Sequence, residues 1–357
     1  MTDMDESAPP QDLVGHHEQR AMVEDSFSSG KMHHAWLLTG PKGIGKSIFA
    51  RHMAASIIDH DDGQAGFLGD EAPFALAMDN AAPVMRQVMQ KAHPDYLYIA
   101  PLEDEKNKSG AIKVEQIRAL VPFFSHKSAH GGWRVAVIDN LDAVNVQGAN
   151  AMLKIVEEPP EKAVIILIAR SAGSVLPTIR SRCRELRFDN LKSKEQVQLL
   201  QGFLPDAAPD ALAALSVFSG GSMGYALEVA QTDALDLYEA SCLILAKPQT
   251  DASSLLDISG KWGAVKKKAL LPIAVQAFSR LLSHAALRAA GHQPQEVLLA
   301  CEQRLVAQLQ EGCDALTLSN LHHEFVEKCA NAERAYLDMP SVFMALFDKI
   351  HSLAHQK

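Results

Sequence analysis

The stretch AWLLTGPKGIGKSIFARHMAASII, residues 35–58, decides the fold of this chain. Its centre, Gly40–Ser47, matches G-x-x-x-x-G-K-[ST] at every fixed position. The apolar run before the glycines predicts a β-strand, and the pattern after them predicts an α-helix. A strand, a glycine-rich loop and a helix N-terminus in this order form a cradle for phosphate groups, because backbone N–H groups and the helix end point at the anion. The sequence therefore predicts a nucleotide-binding loop of the P-loop type.

The residue types in this loop predict how it would hold a nucleotide. Gly40, Gly43 and Gly45 let the backbone approach the phosphates closely. Lys46 is expected to reach the β- and γ-phosphates, and Ser47 is expected to ligate Mg²⁺. The expected ligand is Mg-ATP or Mg-ADP, although a complete loop can also outlive its use.

A second segment supplies the carboxylate that such a site needs. The run RVAVID, Arg134–Asp139, is typical of a buried strand, and it ends in a carboxylate. Downstream of a phosphate-binding loop, Asp139 is expected near the Mg²⁺; without that loop it would be an ordinary strand-ending Asp. ATPases of this kind place Glu next, to orient the attacking water, but the next residue here is Asn140. An amide cannot accept a proton, and Asp142 would need a distorted turn to replace the Glu, so we expect weak ATP hydrolysis.

Five apolar runs alternate with helical patterns in the first half of the chain. The expected strands are Ala35–Thr39, Asp95–Ala100, Arg134–Asp139, Ala163–Ala169 and Glu185–Phe188. This alternation, with several strands apolar throughout, predicts an α/β fold with a five-stranded parallel sheet covered on both faces. One helix is indicated by apolar residues at i, i+3, i+4 and i+7 from Ala149 to Val156, and Pro159 and Pro160 end it.

The second half of the chain lacks strand signals and is expected to be helical. We expect a disordered N-terminus at 1–11, a P-loop nucleotide-binding domain at 12–188, a small helical domain at 189–246 and an all-helical domain at 247–357. Residues 60–83 carry three glycines and two prolines, which predicts an irregular insertion. The sequence indicates no role for this insertion.

Composition excludes several classes of protein. Hydrophobic residues make up 47% of the chain, and its net charge of −9 argues against a protein that coats DNA over its whole surface. Neither a signal peptide nor an apolar run of membrane-spanning length is evident, so we expect a cytoplasmic protein without membrane contact. The five cysteines lack metal-ligand spacing, and we expect no zinc.

Several stretches, taken in order, resemble one family. They are HHAWLL at His33–Leu38, HPDY at His93–Tyr96, IKVEQIR at Ile112–Arg118, NAMLKIVEEPP at Asn150–Pro160 and SRC at Ser181–Cys183. Together with the P-loop, they are similar to the bacterial clamp-loader AAA+ subunits. The resemblance is specific over residues 13–188 and covers the rest only as a domain plan. It implies an AAA+ domain, a small helical lid domain at 189–246 and a helical collar domain at 247–357 that joins subunits into a ring.

Within this family, three features favour the delta-prime subunits over the gamma and tau motors. Asn140 stands where the motors carry Glu, and Gly221–Gly224 has no arginine where the motors carry one in a G-S-x-R stretch. The motors also carry a zinc-binding cysteine cluster after the P-loop helix, whereas the first cysteine here is Cys183. Some delta-prime subunits carry that cluster too, so its absence also removes a supporting feature.

The resemblance implies a role for Arg182 in the SRC triplet. In the ring it would be a trans arginine finger for the next subunit's nucleotide, because its planar charge suits a transferring phosphoryl group. The residues alone fit a salt-bridged surface arginine or a DNA-binding patch equally well, since residues 161–187 hold six Lys or Arg and two Glu. The SRC context favours the finger. Cys183 itself is expected to be a packed thiol.

The resemblance further implies partners and a task. The chain would join gamma or tau and delta subunits as the stator of a DNA polymerase III clamp loader. This complex, part of the DNA-directed DNA polymerase (nucleotidyltransferase) holoenzyme at the nucleoid, loads the beta sliding clamp onto primed DNA. Two alternatives stay open: an active gamma/tau-type motor ATPase, and a stand-alone P-loop DNA-binding or repair protein. Asn140 and Gly224 argue against the first, and the net negative charge argues against the second.

Overall fold

The computed structural model describes residues 15–60, 74–76, 82–102, 110–126, 128, 132–264, 269–294, 297–335 and 338–356. These residues form two compact units, the first ending at Leu191 and the second starting at Lys192. The predicted disordered N-terminus, residues 1–11, lies outside the described residues, as does most of the predicted insertion at 60–83.

The first unit is built around one sheet. Its strands are β1 (Ala35–Thr39), β2 (Tyr96–Ile99), β3 (Arg134–Asp139), β4 (Ala163–Ala169) and β5 (Arg184–Arg187). Their spatial order is β2-β3-β4-β1-β5, and every neighbouring pair is parallel. The predicted five-stranded parallel α/β fold is confirmed. Because the strands are parallel, the segments that follow β1, β3 and β4 meet at one edge of the sheet, the carboxyl edge, where ligands of such sheets bind.

Helices cover both faces of this sheet. They are α1 (His17–Ser28), α2 (Lys46–His60), α3 (Pro83–Met89), α4 (Val114–Arg118), α5 (Leu120–Ser125), α6 (Val146–Glu157) and α7 (Pro177–Arg180). Trp36 and Leu38 of β1 belong to the core that contains α1, α2 and α3. Ala35 and Leu37 belong to the core on the opposite face, with α4, α5, α6 and α7. Alternate residues of a strand face opposite sides, and both sides are buried here, which is why β1 is apolar throughout.

The second unit consists of helices. They are α8 (Ser193–Phe203), α9 (Pro209–Ser219), α10 (Met223–Ala230), α11 (Ala234–Leu245), α12 (Ala252–Trp262), α13 (Leu270–Ala289), α14 (Ala300–Gly312), α15 (Ala315–Ala335) and α16 (Met339–Ala354). Its core is rich in aromatic side chains that are almost completely buried, among them Tyr238, Trp262, Phe278, Phe343 and Phe347. Aromatic rings bury large apolar areas each, so this cluster holds α11, α12, α13 and α16 together. The expectation of a helical second half is confirmed over its described residues.

Helix α13 is long and apolar enough to cross a membrane, judged by length and composition only. Half of its apolar window is buried inside the protein, and Ala274, Phe278 and Leu282 are among its buried residues. A core helix surrounded by neighbouring helices has the same composition. Its Arg280 is ion-paired with Glu302 of α14.

Of the two predicted domain boundaries, one lies near the division between the units and the other lies within the second unit. The boundary expected at residues 188 and 189 lies close to the division after Leu191. The boundary expected at 246 and 247 lies inside the second unit, where Tyr238 on one side bonds to Glu302 on the other. A lid separate from a collar stays a prediction.

Candidate nucleotide site and an exposed arginine

The P-loop joins β1 to α2 at the carboxyl edge of the sheet. Gly40, Gly43 and Gly45 have φ values of 148°, 81° and 96°, which residues with a side chain rarely adopt. A Cβ atom at Gly40 would lie 2.2 Å from the carbonyl oxygen of Phe188. The loop therefore requires glycine at these positions for its own conformation, whatever it binds.

Lys46 begins α2 and is 7% exposed. Its Nζ donates hydrogen bonds to the carbonyl oxygens of the first two loop residues, each at 2.6 Å. Burial lowers the pKa of Lys46; Asp139 and Asp142 act in the opposite direction, and Arg170 lowers the pKa further. Two carboxylates and a second cation are thus within electrostatic range of the P-loop lysine.

The structure brings Ser47 and Asp139 together. Ser47 Oγ donates to Asp139 Oδ2 at 2.5 Å, and the Tyr98 hydroxyl of β2 donates to the same oxygen at 2.6 Å. Hydroxyl and carboxylate oxygens are ligands that suit Mg²⁺. In this arrangement, however, Oδ2 already accepts two hydrogen bonds, so the magnesium contact stays a prediction. No group of three or more His, Cys, Asp or Glu that could hold a metal ion occurs in the described part of the chain.

The two residues considered for water activation make contacts elsewhere. Asn140 Oδ1 accepts a hydrogen bond from the N–H of Ala143 at 3.0 Å and so caps the short turn after β3. Asp142 accepts from the N–H of Arg170 at 2.8 Å and from Ser174 Oγ at 2.5 Å. Both side chains therefore stabilise the turns that follow β3 and β4.

Arg182 lies at the opposite, amino edge of the sheet. It comes two residues before Arg184, the first residue of β5, which is in register with Trp36 near the start of β1. The P-loop begins at Gly40, after the end of β1. At about 3.3 Å per residue, the step from Trp36 to Gly40 spans about 13 Å. Arg182 is therefore too far from its own P-loop for its side chain to reach a nucleotide there.

Arg182 is bound to its own unit by surface contacts. Its Nη2 lies 3.0 Å from Glu157 Oε1, at the end of α6, and its Nη1 donates to the carbonyl oxygen of Thr178 at 2.8 Å. The side chains of Arg182 and Glu157 are 40% and 44% exposed. An ion pair this exposed contributes about 0–1 kcal/mol, so the arginine can leave it at little cost.

The basic stretch at 161–187 does not form one surface. Lys162 comes directly before β4 and Arg184 begins β5, so both lie at the amino edge of the sheet. Arg170 directly follows β4 and lies at the carboxyl edge. Arg187 is paired with Asp189 at 3.2 Å. Clustering in the sequence therefore overstates the size of any continuous basic patch.

Two residues near the P-loop were missed by the sequence reasoning. Tyr98 reaches Asp139 from the neighbouring strand β2. Arg170 follows Ala169, which is in register with Thr39 of β1, and therefore lies beside Gly40. Both stand at or just beyond the carboxyl half of a parallel strand, which is the signal that could have identified them.

Two other predicted features have local roles. In the stretch Gly221–Gly224, the side chain of Ser222 accepts a hydrogen bond from Tyr225 N at 3.4 Å and caps α10. Burial raises the pKa of the Cys183 thiol to about 12, so this thiol is protonated at neutral pH.

Residues 15–192 match the family described as "DNA polymerase III, delta subunit". This part of the chain belongs to that DNA polymerase III subunit family. The match covers the sheet, the P-loop and Arg182, and it ends at the division between the two units. The family predicted from the sequence is confirmed.

Two curated relatives are also described as DNA polymerase III subunits. DNA polymerase III subunit delta' of Pseudomonas aeruginosa is 35% identical over 204 residues, which are 57% of this chain and 58% of that protein. DNA polymerase III subunit gamma of Buchnera aphidicola is 27% identical over 211 residues, which are 58% of this chain and 53% of that protein. The chain thus spans little more than half the length of these curated relatives.

The solved structures that align with most of this chain have low structural similarity to it. A DNA polymerase III gamma subunit-related protein of Thermotoga maritima has a TM-score of 0.42 and 18% identity, covering 94% of this chain and 99% of that chain. A RuvB variant of the same organism has a TM-score of 0.41 and 13% identity, covering 86% of this chain and 85% of that chain. Overlaps of this size add nothing to the architecture described above.

Proposed function

We propose that this chain is a delta-prime-type subunit of a bacterial clamp loader, a stator that supplies Arg182 in trans to an adjacent motor subunit. The family of residues 15–192 and the 35% identity to a delta' subunit support this assignment. The partners are gamma or tau and delta subunits. The assembled complex acts on the beta sliding clamp and primed DNA, in the cytoplasm at the replisome.

The position of Arg182 carries the proposal. It lies at the amino edge of the sheet, while its own P-loop lies at the carboxyl edge, about 13 Å further along β1. A phosphate that meets this guanidinium must therefore belong to another molecule. In a ring of similar subunits, the neighbour's P-loop is the site where such a cation would be of use.

The chemistry of Arg182 fits that task. Guanidinium is permanently charged, and its planar fork of N–H donors matches the charge that develops on a transferring phosphoryl group. The exposed ion pair with Glu157 holds the side chain while leaving it accessible. The chain's own P-loop, with Asn140 in place of Glu, is proposed to hold ATP or ADP with little turnover.

The division of labour along the second unit is also a proposal. Residues 189–246 would form the lid, and residues 247–357 would form the collar that joins neighbouring subunits. The absence of an arginine in Gly221–Gly224 supports a lid that does not sense the γ-phosphate of its own nucleotide.

A reconstitution experiment tests the role of Arg182. ATP turnover is measured with gamma or tau, delta, clamp and primed DNA, together with the wild-type chain, Arg182→Ala or Arg180→Ala. Arg180 is the matched control, because it lies on the same exposed segment and donates a long hydrogen bond to Ala172 O, at 3.5 Å. We expect Arg182→Ala to lower the turnover at least about tenfold, in keeping with the effect of trans arginines on phosphoryl transfer, and Arg180→Ala to leave it within about twofold.

Two results would overturn the proposal. Equal turnover with Arg182→Ala and the wild-type chain, in complexes shown by gel filtration to be assembled, would exclude a trans finger. Substantial turnover by the wild-type chain alone, abolished by Lys46→Ala, would identify a motor instead.

A further inference from the structure

One oxygen of the carboxylate at which a metal is expected already accepts hydrogen bonds from two protein donors. Asp139 Oδ2 accepts from Ser47 Oγ at 2.5 Å and from the Tyr98 hydroxyl at 2.6 Å. The two predicted magnesium ligands are thus bonded to each other, and Tyr98 supplies a second hydrogen bond to the same oxygen. Hydrogen bonds to a charged acceptor are stronger than neutral ones, and a metal that binds at Oδ2 would have to displace them.

Tyr98 is held in place for this contact. The guanidinium carbon of Arg51 and Nζ of Lys91 lie 5.1 Å and 5.0 Å from the centre of its ring, within the range of cation–π attraction. The Tyr98 hydroxyl is thereby held within hydrogen-bond distance of the carboxylate of Asp139.

A second cationic residue, Arg170, follows the strand next to the P-loop. Ala169 is in register with Thr39, and Ile168 is in register with Asp139, so Arg170 follows β4 between the start of the P-loop and the end of β3. Neighbouring strands are about 4.8 Å apart, which places the Arg170 backbone beside the loop. The bond from its N–H to Asp142 Oδ2, at 2.8 Å, fixes that position.

These contacts change the source of positive charge at the loop. A nucleotide phosphate chain needs cations around it, and a bound metal usually supplies part of that charge. Here Lys46 and the N-terminal end of α2 lie on one side, and Arg170 lies on the next strand. The same charge can therefore come from the protein alone.

We propose that this P-loop binds a nucleoside di- or triphosphate without requiring magnesium, with Arg170 as a second phosphate-binding cation and with Tyr98 and Ser47 competing with a metal for the carboxylate of Asp139. The proposal rests on nucleotide retention at Gly40–Ser47, which is part of the proposed function, and is independent of Arg182. It gives the loop a structural use, since a nucleotide held in this way would stiffen the first unit without being turned over.

The test is an affinity measurement on the purified full chain, using ADP with a fluorescent ribose label in saturating Mg²⁺ or in excess EDTA. We expect the wild-type dissociation constants in the two buffers to agree within about threefold. Tyr98→Phe removes one of the two hydrogen bonds to Asp139 Oδ2, so binding should become about tenfold tighter in magnesium than in EDTA. Arg170→Gln should weaken binding in EDTA about tenfold, because a charge-assisted contact to phosphate is lost.

Matched controls separate these effects from damage to the fold. Tyr96→Phe removes a buried hydroxyl two residues earlier on β2, and within the described part of the chain that hydroxyl makes no hydrogen bond to Asp139. Arg180→Gln removes an arginine at the other edge of the sheet. Both should behave as the wild-type chain does in both buffers, and thermal unfolding checks that every variant is folded.

Three results would overturn the proposal. The first is a wild-type dissociation constant more than about tenfold lower in magnesium than in EDTA. The second is the absence of nucleotide binding in either buffer. The third is that Tyr98→Phe and Arg170→Gln both bind as their control variants do. Absence of binding would leave the trans role of Arg182 intact, because the reconstituted assay measures the neighbour's site.

Discussion

Arg280 of α13 and Glu302 of α14 form a buried ion pair, with Nη2 and Oε1 2.6 Å apart. Glu302 is 0% exposed, and its two oxygens also accept hydrogen bonds from the Tyr238 hydroxyl and the Leu299 N–H, each at 2.7 Å. Nη1 of Arg280 donates to two carbonyl oxygens at the end of α9. The ion pair and its hydrogen bonds therefore link α9, α11, α13 and α14 of the second unit.

Glu302→Ala should destabilise the second unit. Removing this carboxylate leaves the Arg280 charge buried without its partner, which costs about 3–5 kcal/mol. Hydrogen exchange followed by mass spectrometry reports the two units separately. We expect faster exchange in α9, α11 and α14, while the sheet of the first unit keeps its protection.

An exposed pair in the same unit is the matched control. Lys349 Nζ lies 2.6 Å from Glu324 Oε2, the same distance, but the two side chains are 47% and 39% exposed. Lys349→Ala should cost less than about 1 kcal/mol. If Glu302→Ala and Lys349→Ala lowered the free energy of unfolding equally, burial would not explain how much the Arg280–Glu302 pair stabilises the unit.

Glu324 gives a prediction about pH. Hydrogen bonds from Lys328 and Lys349 lower its pKa to about 2. A carboxyl with a lowered pKa stabilises the fold above its unfolded pKa of about 4.3 and loses that contribution as pH falls towards the folded value. The group is more than one-third exposed, so the contribution is at most about 1 kcal/mol. The difference in unfolding free energy between wild type and Glu324→Gln should shrink steadily below about pH 4; a constant difference would contradict this origin.

Local patterns predict the elements of the first unit well. The expected bounds of the strands Ala35–Thr39, Arg134–Asp139 and Ala163–Ala169 are those observed, because these runs are buried on both faces. The strand expected at Asp95–Ala100 is observed at Tyr96–Ile99, one residue shorter at each end. Asp95 is buried and ion-paired with Arg134 at 3.1 Å. The strand expected at Glu185–Phe188 is shifted by one residue to Arg184–Arg187.

The site is less predictable than the elements, because it depends on the order of strands in the sheet. Tyr98 meets Asp139 only because β2 lies beside β3, and Arg170 lies beside Gly40 only because β4 lies between β3 and β1. No spacing in the sequence encodes that order. The motif Gly40–Ser47 is local, and it could be identified before any neighbour was known.

Gly40→Ala should destabilise the first unit and distort the P-loop. The φ of Gly40 is 148°, and an added Cβ would lie 2.2 Å from the carbonyl oxygen of Phe188, which is backbone and cannot rotate away. We expect a loss of more than about 2 kcal/mol in urea denaturation. Gly202→Ala is the opposite case: this glycine is in α8 and nothing lies within 4 Å of the added atom, so the variant should be about 0.5–1 kcal/mol more stable. Similar losses in both would contradict the steric account.

Asn140→Glu tests whether the residue after Asp139 is the only block to hydrolysis. The new carboxylate could orient water, but the hydrogen bond that caps the turn at Ala143 would be lost, at a cost of about 1 kcal/mol. The stretch Gly221–Gly224 would still lack the arginine that the resemblance places there in the gamma and tau motors. We therefore expect phosphate release by the chain alone to rise by less than about tenfold, well below the full contribution of a general base. Asn140→Asp keeps a capping oxygen and separates loss of the cap from gain of the carboxylate. A rise of about a hundredfold or more with Asn140→Glu would instead mean that one residue separates this chain from an active motor.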